Sequence, residues 1–375
     1  MKAARVLAAL ALACISNAAF AQERGREPHE IVRQLTASQD RFLSSDGGAQ
    51  DEQKQLSNEF LQRATSGEAK LWESARNRRA VALYLLAGGE GEALRGVVTK
   101  MTLDGDEKKL LEGALAFAEG REKEALAALG ALEPRNLPAD IGGQVALTQG
   151  VLNLGVDRAK AMQALDLARL LSPGALVEEA ALRRQVFIAS EGDDPARFIA
   201  LSERYRLRFK NSTYASNFRT RFRDGFIRFW IGGDERARGA LEQAFVESPR
   251  SEATLLLFDA ARAAIAQGAF GAAKAAATRA KTYMDAEDAA LVRADLYALA
   301  AGVLDEGAAA EQLTAIAPAR LSPEDRILRE SALLAVAALK PPREDEGEIR
   351  AGEPTPLMKR AVELIADADA LRSGR

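Results

Sequence analysis

Arginine is the side chain with the most chemistry to offer in this sequence. The stretch from Arg204 to Trp230 reads RYRLRFKNSTYASNFRTRFRDGFIRFW. It carries Arg204, Arg206, Arg208, Lys210, Arg219, Arg221, Arg223 and Arg228, answered locally by Glu203 and Asp224 alone. A guanidinium presents a planar fork to carboxylates, and arginine is enriched at interface hot spots. The chemistry suggested is recognition of acidic groups on a partner chain or an anionic polymer. Aromatic residues crowd the same region of a chain that is only 6% aromatic: Phe187, Phe198, Tyr205, Phe209, Tyr214, Phe218, Phe222, Phe226, Phe229 and Trp230. The candidate partner-binding residues are Arg204, Arg208, Tyr214, Asn217 and Arg221.

Other chemistry is scarce. His29 is the only histidine and stands at the polar leader, so no histidine pair can hold a metal or build a triad. Cys14 is the only cysteine. No metalloprotease helix motif, phosphate-binding glycine loop or nucleophile elbow occurs. Acidic pairs such as Asp193/Asp194 and Glu178/Glu179 have spacings that suit helix caps and solvated faces as well as acid–base work. Glu178 and Glu179 stand one turn from Arg183 and Arg184, the spacing of ordinary intrahelical ion pairs worth about 0.2–0.5 kcal/mol. The reading is of a non-enzyme with no catalytic, cofactor or metal residues. Aromatics beside arginines also suit single-stranded nucleic acid, but an export signal argues against that ligand.

That signal occupies residues 1–21. Lys2 and Arg5 precede the short apolar run Val6 to Ile15, and Ala19-Phe20-Ala21 offers a peptidase site. Cleavage after Ala21 is expected, giving a periplasmic chain without cysteine and so without a disulfide. No later apolar run is long enough to span a membrane. Loss of Lys2 and Arg5 from 51 basic side chains leaves 49 against 54 acidic ones, a net charge of about −5. That balance is too near neutral to favour bulk nucleic-acid binding.

The elements that must position the arginines are helices. Ala, Leu, Glu and Arg dominate, and apolar residues recur at i, i+3, i+4 with no sustained alternation. An all-α fold follows, with helices expected at about 29–44, 51–65 and 68–87. Gly88, Gly120, Gly155, Gly232 and Gly268 mark turns. A repeat is countable. Ala161, Leu165, Ala168 and Pro173 share their spacing with Ala237, Leu241, Ala244 and Pro249. Ala125, Leu129 and Leu132, and Ala273, Ala277 and Ala280, reproduce its first two steps. The period of about 36 residues reads as an α-solenoid of stacked helical hairpins, with an irregular helical bundle as the alternative. Residues 218–251 resemble a tetratricopeptide repeat at Gly225, Gly232, Ala237, Ala244 and Pro249.

In the central stretch, Asp194 and Pro195 open a helix. It puts Phe198, Leu201, Tyr205 and Phe209 on one side, with Arg197, Arg204 and Arg208 opposite. Ser212 or Thr213 caps the next helix, where Phe218, Phe222, Phe226 and Phe229 form one stripe. These aromatics read as core between stacked repeats, and the arginines as surface. The predicted organisation is a signal peptide (1–21), a loose polar leader (22–28), a helical solenoid (29–340), a Pro-, Gly- and charge-rich linker (341–356) and an amphipathic C-terminal helix with its tail (357–375). Ser322-Pro323 starts the last solenoid helix. The terminal helix either caps the solenoid or docks on a partner.

ALVEEAALRRQVFIA (175–189) and RYRLRFKNSTYASNFRTRF (204–222) resemble segments of the MotC family of periplasmic motility proteins from rhizobia and related alphaproteobacteria. The order of signal peptide, helical N-terminal half, this pair and Ala-rich helices is similar too. The resemblance covers about residues 29–340. It implies a periplasmic protein that binds and stabilises the stator subunit MotB and supports flagellar rotation. It assigns no functional residues. A generic scaffold for envelope assembly, or a helical accessory to a peptidoglycan-active enzyme, is the alternative.

Overall fold

The computed structural model of the chain describes residues 25–44, 48–243, 249–303, 309–339, 354 and 356–373. The expected signal peptide and its cleavage point, residues 22–24 of the leader, Ala244 of the repeat, and residues 340–353 and 355 around the linker lie outside the described residues. Contacts divide the chain into two units. One holds residues up to Ile188 together with Arg204–Arg219; the other holds Ala189–Glu203 and the chain from Thr220 onward. Among the described residues all regular structure is helical.

The first unit contains α1 (Pro28–Asp40), α2 (Ala49–Ser66), α3 (Ala75–Leu86), α4 (Gly91–Val98), α5 (Gly105–Ala118), α6 (Glu122–Leu129), α7 (Gly142–Asn153), α8 (Arg158–Leu171) and most of α9 (Leu176–Glu191). Helices α10 (Pro195–Phe209) and α11 (Ala215–Gly232) divide between the units. The second unit continues with α12 (Glu235–Gln243), α13 (Arg250–Ala266), α14 (Phe270–Lys281), α15 (Leu291–Ala301), α16 (Ala309–Ala315), α17 (Pro323–Leu339) and α18 (Pro356–Ser373).

Two local expectations need correction. The helix expected over 68–87 is broken: a 3-10 turn at Ala69–Glu73 leads through an extended Ser74 into α3. Side chains from α3 satisfy the turn's carbonyls instead of helical N–H groups. Asn77 Nδ2 donates to Leu71 O (2.9 Å), and Arg78 Nη1 donates to Trp72 O (2.7 Å) and Glu73 O (3.0 Å). The leader is also not loose where it is described. Arg26 Nε donates to Glu59 Oε1 (2.7 Å), and Glu27 and Glu30 form a capping box for α1. His29 belongs to α1, with Nδ1 2.8 Å from Asn77 Oδ1. The caps follow the sequence more closely. Asp194 Oδ1 accepts from Arg197 N (3.0 Å), and Ser212 Oγ accepts from Tyr214 N (3.1 Å). Of the expected turn glycines, Gly88, Gly120 and Gly268 take positive φ, whereas Gly155 and Gly232 do not.

The described Ala and Leu positions of the counted repeat turn inward, whereas Pro173 and Pro249 are exposed. Ala125, Leu129, Ala161, Leu165, Ala168, Leu241, Ala273, Ala277 and Ala280 are sealed from solvent, and Ala237 is half-buried. Three of these runs sit on the second helix of a packed pair: α6 against α5, α8 against α7, α14 against α13. Glycine on the first helix sets the approach. A Cβ on Gly113 would come 2.7 Å from Leu129, and one on Gly150 would come 2.7 Å from Leu165. Pairs also pack onward, with α3 against α1, α5 and α7, and α15 against α13, α14 and α17.

The central aromatics are core, as their spacing implied. In the first unit Tyr205 stacks on Phe218 with centroids 4.0 Å apart and meets Phe209 at 5.8 Å. In the second, Phe198 contacts Phe222 and Phe229, and Phe226 stacks on Trp230. Burial of each phenylalanine contributes about 1.5–3 kcal/mol. At the C-terminal end Ser322 Oγ accepts from Asp325 N (3.1 Å) to start α17. Helix α18 packs on α17, burying Leu364, with Arg360 paired to Glu330.

Candidate functional site

Helix α9 organises the most structured site in the first unit. Its N-terminus is tied to the end of α1, where Asp40 Oδ1 accepts from Leu176 N (2.8 Å). Burial pushes the Asp40 carboxyl above its ordinary range. After α1 the chain turns through a 3-10 segment, Arg41–Ser44. There Phe42 O accepts from both the amide and the hydroxyl of Thr213, each at 2.9 Å. That pair of hydrogen bonds places Tyr214 edge-on to the Phe42 ring, 6.3 Å between centroids. The Arg183 guanidinium lies over the Tyr214 ring, 5.1 Å from its centroid.

These groups border a cleft of about 430 Å³. Val177, Ala180, Arg183 and Arg184 line one wall, all on one side of α9 by helical spacing. Gln144, Leu147, Thr148 and Val151 of α7 line another, joined by Leu83 and Leu86 of α3 and by Phe117. Most polar groups here are already used. Gln144 Nε2 donates to Leu86 O (2.8 Å), capping the end of α3 before Gly88 turns with φ +96°. Asp140 is paired with Arg79 (2.9 Å). A wider depression of about 610 Å³ near Trp72 and Met101 is less promising. Its arginine, Arg78, is spent on Glu107 and on two carbonyls.

Behind the wall runs a buried ionic network. Glu179 is 0% exposed and accepts from Tyr205 Oη (2.6 Å) and from Arg183 Nε (3.1 Å). Burial and that carboxylate push the Tyr205 hydroxyl pKa well up. Glu178, also buried, accepts from Gly174 N (2.6 Å) and pairs with Arg208 of α10 at 2.8 Å. The expectation of two ordinary intrahelical pairs therefore needs correction. Arg183 does pair with Glu179, but through a carboxylate without solvent contact. Among the described residues Arg184 has no such partner, and Glu178 is claimed by α10 instead.

Of the candidate partner-binding residues, Tyr214 lines the cleft. Arg204, Asn217 and Arg221 are exposed away from its lining, and Arg208 reaches Glu178. Burial, then repulsion from Arg204 and more weakly Arg208, lowers the pKa of Arg169, which bonds Gln185 (2.7 Å) and Asp166 (3.1 Å). The three form a basic cluster. Arg183, Arg184, Asp40 and Phe42 escaped the sequence reading as site residues. A signal was present: Arg184 shares the face of Val177 and Ala180, so a charge stands where an apolar residue would continue the stripe. Among the described residues no group of His, Cys, Asp and Glu could hold a metal ion, and no helix is long and apolar enough to cross a membrane.

Comparison with known proteins gives one consistent result. The family model described as chemotaxis protein MotC matches residues 1–370. A protein of Rhizobium meliloti (strain 1021) described as chemotaxis protein MotC is 30% identical over 380 residues, covering 98% of this chain and 85% of its own. No solved structure matches the chain. With residues 1–370 covered by that match, the chain belongs to the chemotaxis protein MotC family.

Proposed function

We propose that this chain is a non-enzymatic periplasmic motility protein that binds and stabilises the stator subunit MotB, supporting flagellar rotation. The observation that carries the reading is the cleft of the first unit, where arginines and an aromatic ring border an apolar floor. Such a surface suits a polypeptide, because apolar side chains need covering while guanidinium groups select carboxylates. Family membership supports the motility role, since the relative is named for chemotaxis. The buried, evenly phased Ala and Leu positions support a solenoid of stacked hairpins, a scaffold type that works by holding other chains. The export signal read at residues 1–21 supports the compartment.

The test is co-purification of the chain, without its first 21 residues, with the periplasmic portion of MotB. It is paired with the soluble yield of that portion expressed alone or together. Association and a raised yield are expected, with loss of swimming in a deletion strain. Absence of association together with normal swimming overturns the proposal.

A further inference from the structure

The cleft holds a positive charge, that of Arg184, that no carboxylate answers among the described residues. Its acids are engaged: Asp140 with Arg79, and Asp40 with the Leu176 amide. Arg183 is shared between Glu179 and the Tyr214 ring. Arg184 donates through Nη1 to Ala180 O (3.1 Å), and among the described residues no carboxylate lies within ion-pair distance of it. Burial, then Arg183, lowers its pKa, and the opposing attraction is that of Glu179, already bonded twice. A guanidinium does not give up its proton in a protein. Its charge is therefore held in a poorly solvated wall, beside Val177, Leu147 and Val151.

We propose that the cleft seats a short extended segment of the protein partner, with one carboxylate on Arg184 and the flanking apolar side chains against Leu83, Leu147 and Val151. This rests on the partner-binding reading and gives it an address and a chemistry. Charge complementarity names the carboxylate, and the apolar wall requires more than a small anion to cover it. The volume lies in the range of about 300–1,000 Å³ typical of ligand clefts.

The experiment uses fluorescence anisotropy of the chain, without residues 1–21, with a fluorescein-labelled hexapeptide of alternating leucine and aspartate. The leucine–asparagine peptide is the control. The aspartate peptide should bind at least about tenfold more tightly, a difference of about 1.4 kcal/mol. Arg184→Gln should abolish the difference, while Arg184→Lys keeps part of it, both with unchanged circular dichroism. The proposal is overturned by equal binding of the two peptides, by no binding of the aspartate peptide at about 1 mM, or by full discrimination in Arg184→Gln. Displacement by acetate at the peptide's own concentration assigns the cleft to a small anion and also overturns it. So does self-association that Arg184→Gln abolishes, which assigns the cleft to a second copy. Equal capture of MotB by the parent chain and Arg184→Gln overturns the cleft assignment while leaving the partner standing. Arg184-dependent peptide binding without MotB capture supports the cleft and removes the partner.

Discussion

Replacing Glu179 with leucine tests whether the buried network holds α9 in place. The carboxylate has no solvent contact and two donors, Tyr205 Oη at 2.6 Å and Arg183 Nε at 3.1 Å. Glu179→Leu takes the charged acceptor from a tyrosine hydroxyl on a side chain that is itself 0% exposed, leaving it Ser212 alone, and loss of a hydrogen bond to a charged group costs about 1.5–3 kcal/mol. Arg183 loses its charged partner too, but its side chain is 18% exposed and turns to water at lower cost, about 1 kcal/mol. Removal of a buried carboxylate returns part of this through relieved desolvation. The net expectation is a loss of about 2–3 kcal/mol, or roughly 4–12 °C in Tm for a unit of this size. Thermal melts followed by circular dichroism read the singles Glu179→Leu and Tyr205→Phe and the double variant. If the carboxylate holds the hydroxyl, the double variant is less destabilised than the sum of singles by at least about 1 kcal/mol. Strict additivity, or a Glu179→Leu protein that melts with the parent, refutes the network as the clamp.

Three further perturbations separate structural from surface roles. Arg208→Glu sets a second carboxylate beside buried Glu178 and should lower Tm by several degrees, whereas Arg204→Glu, on the neighbouring surface, should leave it within about 2 °C; equal effects would show that the Glu178 pair is unimportant. Asp40 has a raised pKa, so the folded state keeps its proton to higher pH than the unfolded chain, and the charged form costs stability above the ordinary value of 3.8. Asp40→Asn retains an acceptor for Leu176 N and should raise Tm at pH 7, with the gain vanishing as pH falls below 3.8; a lower Tm at pH 7 contradicts it. Gly150→Ala drives a methyl group to 2.7 Å from fully buried Leu165 and should cost about 1–3 kcal/mol in chemical denaturation, and a neutral result would show that α7 and α8 can part freely.

Much of the helical framework was legible because helical spacing reports it directly. Ala161, Leu165 and Ala168 announce a buried face by recurring at 4 and 3 residues, and Phe218, Phe222 and Phe226 do the same for the aromatic core. The break at Ser74 was hidden because it depends on Asn77 and Arg78 folding back to take carbonyls, a competition that composition does not reveal. The pairing of Glu178 with Arg208 crosses 30 residues of chain, while the i, i+4 rule offered Glu178 nearer candidates. The cleft was least legible. Its walls draw on residues from Thr36 to Tyr214, and only the tertiary fold brings Asp40, Phe42 and Arg183 to one rim. Of the five residues singled out from sequence, Tyr214 alone lines it.

The division of α10 and α11 between the units bears on how the polypeptide matures. Because Arg204–Arg219 completes the first unit, a ribosome that has released only the first 188 residues has delivered a body missing Tyr205, Phe209 and Phe218. The stretch of chain in between, Ala189–Glu203, belongs to the second unit, so neither unit is one continuous piece of sequence. Fragments cut at any single point between them should therefore emerge as aggregation-prone halves, and the protein is best expressed and engineered as one indivisible chain.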